Sequence, residues 1–168
     1  MEAIFFGAKC YIYGVDIHEA CKVYENEHTK IFIGDQEDRN FWKDFKKPVP
    51  HIDILIDDGD HKTDQQIVTF EQMLPHIRPG GIYLCEDLHE LHNGFTTYMH
   101  GIVKNLNAQA FDKSKSRKDL CVLQTRISSV HFYPYVTVIQ KTERPVKQFD
   151  SVKHGTEWKI PRYKSKKG

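Results

Sequence analysis

The chain lacks an excess of either charge, a long apolar run and paired-cysteine spacing, and each absence excludes a class. Lys and Arg number 24 against 23 Asp and Glu in 168 residues, so nothing resembles the basic footprint of a nucleic-acid binder. No apolar stretch approaches the roughly 20 residues that a membrane-spanning helix needs. Cys10, Cys21, Cys85 and Cys121 lack C-x-x-C spacing, and Cys85 lies inside an apolar run. That usage fits reduced thiols better than disulfides or zinc. The opening Met1 to Phe6 is short for a signal peptide and has no basic region, so a cytoplasmic location is expected. With 39% hydrophobic residues, a chain of this size can bury a core without disulfides or a structural metal.

What the chain has is alternation. Extended runs at Cys10 to Ile17, Lys30 to Asp35 and His51 to Asp57 are separated by helix-forming stretches at His18 to Glu27 and Asp38 to Phe45. Ile52, Ile54, Leu55 and Ile56 read as a strand buried on both faces. Thr63 and Gln66 predict a capping box, followed by Ile67, Phe70, Leu74 and Ile77 at helical spacing up to Arg78-Pro79-Gly80-Gly81. A fourth run starts at Ile82, and a further helix is expected between Asn93 and Phe111. This order predicts an α/β, Rossmann-like, doubly wound and mostly parallel sheet. Ile127 to Phe132 and Tyr135 to Gln140, joined at Tyr133-Pro134, predict an antiparallel C-terminal hairpin. The expected domain covers 1–143. Residues 112–119 read as an exposed loop, and 144–168 as a basic, poorly ordered tail.

The acids sit where ligands bind such sheets, at the carboxyl ends of strands. Asp57-Asp58-Gly59-Asp60-His61 ends the third run and Glu86-Asp87 the fourth. Acids there cost solvation unless a cation, ligand or water takes up the charge. Three hard oxygen ligands from Asp58, Glu86 and Asp87 suit Mg²⁺ or Mn²⁺. His61 is placed to act as general base on a hydroxyl whose acidity a metal has raised. The plainer readings are a strand-to-helix turn whose Asp and Gly serve its geometry, and a surface histidine. His89 and His92, downstream of the second cluster, are weaker candidates: such histidines can face substrate but are more often solvent-exposed. Asp16 and Asp35 end the first two runs; such an acid can take a ribose, and Asp35-Gln36 can meet an adenine edge, although either acid can equally be a turn residue.

Tyr13-Gly14-Val15-Asp16-Ile17, Ile33-Gly34-Asp35-Gln36, Ile56 to Thr63, Leu74 to Gly81 with Glu86-Asp87-Leu88, and Ser128 to Tyr133 together resemble the class I S-adenosylmethionine-dependent methyltransferases. Within that class the likeness is to the metal-dependent mycinamicin and macrocin sugar O-methyltransferases and their cephalosporin hydroxylase-like relatives. The resemblance implies that Asp58, Glu86 and Asp87 hold Mg²⁺ and that His61 is the base. It also implies that Asp16 takes the ribose of S-adenosylmethionine, that Asp35 and Gln36 lie near its adenine, and that Asp57 lines the donor pocket. The acceptor would be a hydroxyl of a sugar or glycosylated natural product, with no nucleic-acid or membrane partner; a homo-oligomer is compatible with this reading.

Two departures follow. The family's glycine-rich loop and first strand have no counterpart here, so a sheet without its central strand is expected, and a chain shortened at its N-terminus. After Glu86-Asp87-Leu88 the aromatic continuation is also missing, which leaves the acceptor unassigned. Two readings compete with the enzyme: a non-catalytic remnant that keeps the metal acids without binding the donor, and a metal-dependent hydrolase.

Overall fold

The computed structural model describes Gly7 and residues 9–89, 93–106 and 122–144. The expected loop at 112–119, nearly all of the expected tail and His92 lie outside the described residues. The elements are β1 (Ile12–Asp16), a 3₁₀ turn (Glu19–Tyr24), β2 (Thr29–Ile33), α1 (Arg39–Phe45), β3 (Ile52–Asp57), α2 (Thr63–Met73), β4 (Ile77–Cys85), α3 (Gly94–Leu106), α4 (Val122–Arg126), β5 (Ile127–Tyr133) and β6 (Val136–Lys141).

The strands form two sheets. β1 pairs in parallel with β2, while the other sheet has the order β3-β4-β6-β5. In it β3 and β4 are parallel, and β6 runs antiparallel to both β4 and β5. Among the described residues no ladder joins β1 to β3. The two pieces meet through α1. The Phe32 and Phe45 rings lie 4.8 Å apart, edge to face, and Trp42 and Phe45 are buried in the common core. Arg39 reaches Glu71 of α2 at 2.6 Å, and the Lys46 ammonium donates to the Gln72 carbonyl at 3.0 Å.

Several details differ from the sequence reading. No capping box forms: Lys62 is the N-cap and Thr63 is already helical, with the Gln66 N–H donating to the Lys62 carbonyl. β4 starts at Ile77 rather than Ile82, because Ile77 pairs with Ile52 and the strand then bulges through Pro79 and Gly80 before rejoining at Ile82. Gly80 has φ 79°, a conformation that glycine adopts without steric cost. β3 is not buried on both faces. Leu55 and Asp57 face the helices and are buried, whereas Ile54 and Ile56 stay 42% and 46% exposed on the opposite face.

The buried face explains the helices. Phe70 of α2 stands edge-on to Tyr83 at 5.2 Å and meets Phe95 of α3 at 6.2 Å, so both helices cover β3, β4 and β6 from one side. Burying a large apolar side chain there contributes about 1.5–3 kcal/mol.

Candidate functional site

The acids named from sequence are gathered at the carboxyl ends of the parallel strands. Asp57 closes β3, and residues 58–61 turn the chain into α2. His61 and Asp87 have φ of 58° and 54°. A β-carbon disfavours this left-handed region, and such residues persist only where their surroundings hold them, often at functional sites. His61 Nε2 stands 3.7 Å from Asp87 Oδ2. Asp58, His61 and Asp87 each offer one ligand atom, all within 4.8 Å of one another. Glu86 is outside that group. Its N–H donates to the Asp57 carbonyl at 3.0 Å, tying the end of β4 to that of β3. Two of the three expected carboxylates therefore converge with the expected base.

The two carboxylates of this group suit a hard divalent cation, with room for water or substrate oxygens to complete the shell and the His61 imidazole beside them. His61 Nδ1 adds a second sign, being a buried nitrogen with no hydrogen-bond partner among the described residues. His89, a weaker candidate from sequence, is drawn in as well, with Nε2 3.0 Å from Asp87 Oδ1.

Asp57 is oriented differently from its neighbours. The Tyr83 hydroxyl donates to its Oδ2 at 2.5 Å and also approaches the Gln66 carbonyl at 3.4 Å. Burial pushes the Asp57 pKa up to about 6, against the pull of the Tyr83 hydrogen bond, the His61 imidazole and the Gly59 N–H. Burial likewise raises the Tyr83 phenol and the Cys85 thiol, which keeps that cysteine un-ionised. Sequence reasoning missed Tyr83. The signal was a phenol inside an apolar strand run, which needs a buried acceptor.

On the other sheet, Asp16 Oδ1 accepts the His18 N–H at 2.7 Å, and this bond, with the neighbouring Cys21 thiol, lowers its pKa. Asp35 Oδ1 accepts the Glu37 N–H at 2.8 Å. Both acids thus do the work of turn residues. The Gln36 carbonyl accepts the Trp42 indole N–H at 2.8 Å. Its side-chain amide lies so close over Gly59 that a β-carbon there would fall 2.1 Å from Oε1, which brings the ends of β2 and β3 together.

Strand order, helices on the sheet and acids at its carboxyl end define a Rossmann-like methyltransferase fold. The chain superposes on the MycE methyltransferase of the mycinamycin biosynthetic pathway, solved in complex with Mg and SAH, with a TM-score of 0.68 and 24% identity over 79% of this chain and 37% of that one. A second crystal form of MycE covers 90% of this chain and 40% of its own. No family model matches. In sequence the chain is similar to demethylmacrocin O-methyltransferase of Streptomyces fradiae, 38% identical over 77 residues, covering 46% of this chain and 19% of that protein. It is similar to mycinamicin VI 2''-O-methyltransferase of Micromonospora griseorubida, 32% identical over 119 residues, covering 71% and 27%. A tetracenomycin-C rhamnosyl 2'-O-methyltransferase of Streptomyces olivaceus is 26% identical over 141 residues, covering 77% and 37%. The resemblance to the mycinamicin and macrocin type of sugar O-methyltransferase therefore holds in sequence and in fold, while the chain spans only 19–37% of the length of these relatives.

Proposed function

We propose that this chain carries the site of an S-adenosylmethionine-dependent, divalent-metal-dependent O-methyltransferase acting on a hydroxyl of a sugar or glycosylated natural product. The observation that supports it best is the convergence of Asp58, His61 and Asp87 within 4.8 Å at the carboxyl ends of β3 and β4. Asp58 and Asp87, joined by Glu86, hold Mg²⁺ or Mn²⁺. When bound, the cation makes an acceptor hydroxyl more acidic, and the sulfonium donor brings a methyl group already activated for transfer. His61 takes the hydroxyl proton, and the Asp87 carboxylate beside its Nε2 stabilises the imidazolium that results. Asp16 receives the donor ribose, Asp35 and Gln36 flank its adenine, and Asp57 lines the donor pocket. By holding both reactants in one geometry, the residues remove much of the entropic barrier.

Two single substitutions separate the roles. Asp58→Ala is expected to weaken Mn²⁺ binding, followed by calorimetry, and to abolish methyl transfer. His61→Ala is expected to cut transfer about a hundredfold or more while leaving Mn²⁺ binding nearly intact. Equal loss of both in His61→Ala would make His61 a ligand rather than the base. Titration with S-adenosylmethionine tests the donor half: saturable binding lost in Asp16→Ala supports the enzyme. Intact folding with no donor binding favours a non-catalytic remnant.

A further inference from the structure

The hairpin between β5 and β6 hangs over the carboxyl end of β4, beside the acidic cluster. Its loop is Pro134-Tyr135, between the paired residues Tyr133 and Val136. Tyr135 has φ 64°. Proline followed by positive φ is the order of a type II turn, whose second central position normally takes glycine or asparagine. A bulky aromatic there is strained, and the ring gains little burial in return, since Tyr135 is 59% exposed. Fold stability does not account for the choice.

Two contacts aim the turn at the site. The Leu88 N–H, one residue beyond Asp87, donates to the Tyr135 carbonyl at 3.0 Å. The Tyr135 ring meets the His89 ring at 4.8 Å, and His89 Nε2 in turn lies 3.0 Å from Asp87 Oδ1. The Tyr135 ring thus stands against the His89 imidazole, which itself reaches the Asp87 carboxylate of the acidic cluster. An apolar face edged by hydrogen-bonding groups matches a saturated hydroxylated ring, whose C–H groups cover the aromatic face while its hydroxyls reach the polar edge.

We infer that Tyr135 is the residue that receives the acceptor, stacking on one face of a pyranose ring and presenting a ring hydroxyl to Asp87 and His61. This rests on the O-methyltransferase reading above for the fate of that hydroxyl, but the stacking itself can be read without it.

The test uses the full chain with methyl α-rhamnopyranoside as probe and sorbitol, an acyclic polyol, as control, followed by saturation-transfer NMR. Tyr135→Gly relieves the backbone and removes the ring; Tyr135→Phe keeps the ring. The wild type is expected to bind the pyranoside in preference to sorbitol. Tyr135→Gly should melt no lower than wild type and bind the pyranoside on the order of tenfold more weakly, with Tyr135→Phe restoring binding. Undiminished binding in Tyr135→Gly, equal binding of sorbitol, or no pyranoside binding by the wild type would each overturn the inference. Mn²⁺ titration of the same samples reads the other claim independently: loss of the ring should leave it unchanged, and a wild type that ignores Mn²⁺ while binding the pyranoside through Tyr135 would refute the metal site alone.

Discussion

At the scale of single residues, the fold keeps several polar groups inside by pairing them. Asp57 survives at 5% exposure because Tyr83 donates to it. At the opposite end of the sheet, buried His76 is held with Nε2 3.1 Å from the Val49 carbonyl, its ring 4.7 Å from that of His51. Burial, the neighbouring His51 and the Lys46 ammonium all disfavour the imidazolium, so the His76 pKa is lowered. The unfolded chain then takes up a proton that the folded chain refuses. The His76 contribution is therefore constant well above pH 6.5, the ordinary histidine value, and turns destabilising as pH drops below it, whereas buried Asp57, with its pKa raised to about 6, acts in the opposite direction over the same range. Thermal melts at pH 7.5 and 5.5 isolate the His76 part by difference: His76→Gln, which can still donate to Val49, should lose less stability, or gain more, than the wild type on going to pH 5.5. An unchanged pH slope in the variant would rule out His76 as the cause.

Element by element, the joints are made by side chains reaching backbone carbonyls. The Lys141 ammonium at the end of β6 donates to the carbonyls of Leu74, Pro75 and Ile77, where α2 gives way to β4. Leu74 and Pro75 belong to the 3₁₀ turn that follows α2, and Ile77 opens β4, so the ammonium sits at the junction of helix and strand, where helix-end carbonyls have no intrahelical partner. Partial burial lowers the Lys141 pKa. Lys141→Met preserves the length of the side chain and removes the charge-assisted bonds. It should destabilise the chain by about 1.5–3 kcal/mol in urea melts; a change below about 0.5 kcal/mol would show that water replaces the ammonium.

Across the whole molecule, the division into two sheets predicts two levels of stability. The β1–β2 sheet is only half-buried and is held to the rest mainly through the aromatic residues of α1, whereas Leu55, Tyr83 and Ile139 lie in a sheet covered by α2 and α3. Native-state hydrogen exchange should show Tyr13, Val15 and Phe32 amides opening at lower free energy than those of Leu55, Tyr83 and Ile139. Equal protection in both sheets would mean one cooperative unit. The described helices include none long and apolar enough to cross a membrane.

The order of elements, the hairpin and the acidic strand ends were legible in the sequence, because period and turn chemistry are local properties of neighbouring residues. Asp58, His61 and Asp87 could be named singly for the same reason. Their distances could not, since these depend on the register of β3 against β4 and on left-handed backbone at His61 and Asp87. The failed capping box at Thr63 and the early start of β4 at Ile77 show the limit, because packing against α3 and pairing with Ile52 overrode local preference. Tyr83 beneath Asp57 and Tyr135 against His89 are the clearest cases. Each contact joins residues far apart in sequence, and only the tertiary structure decides which side chains a folded sheet and its loops bring within reach of one another.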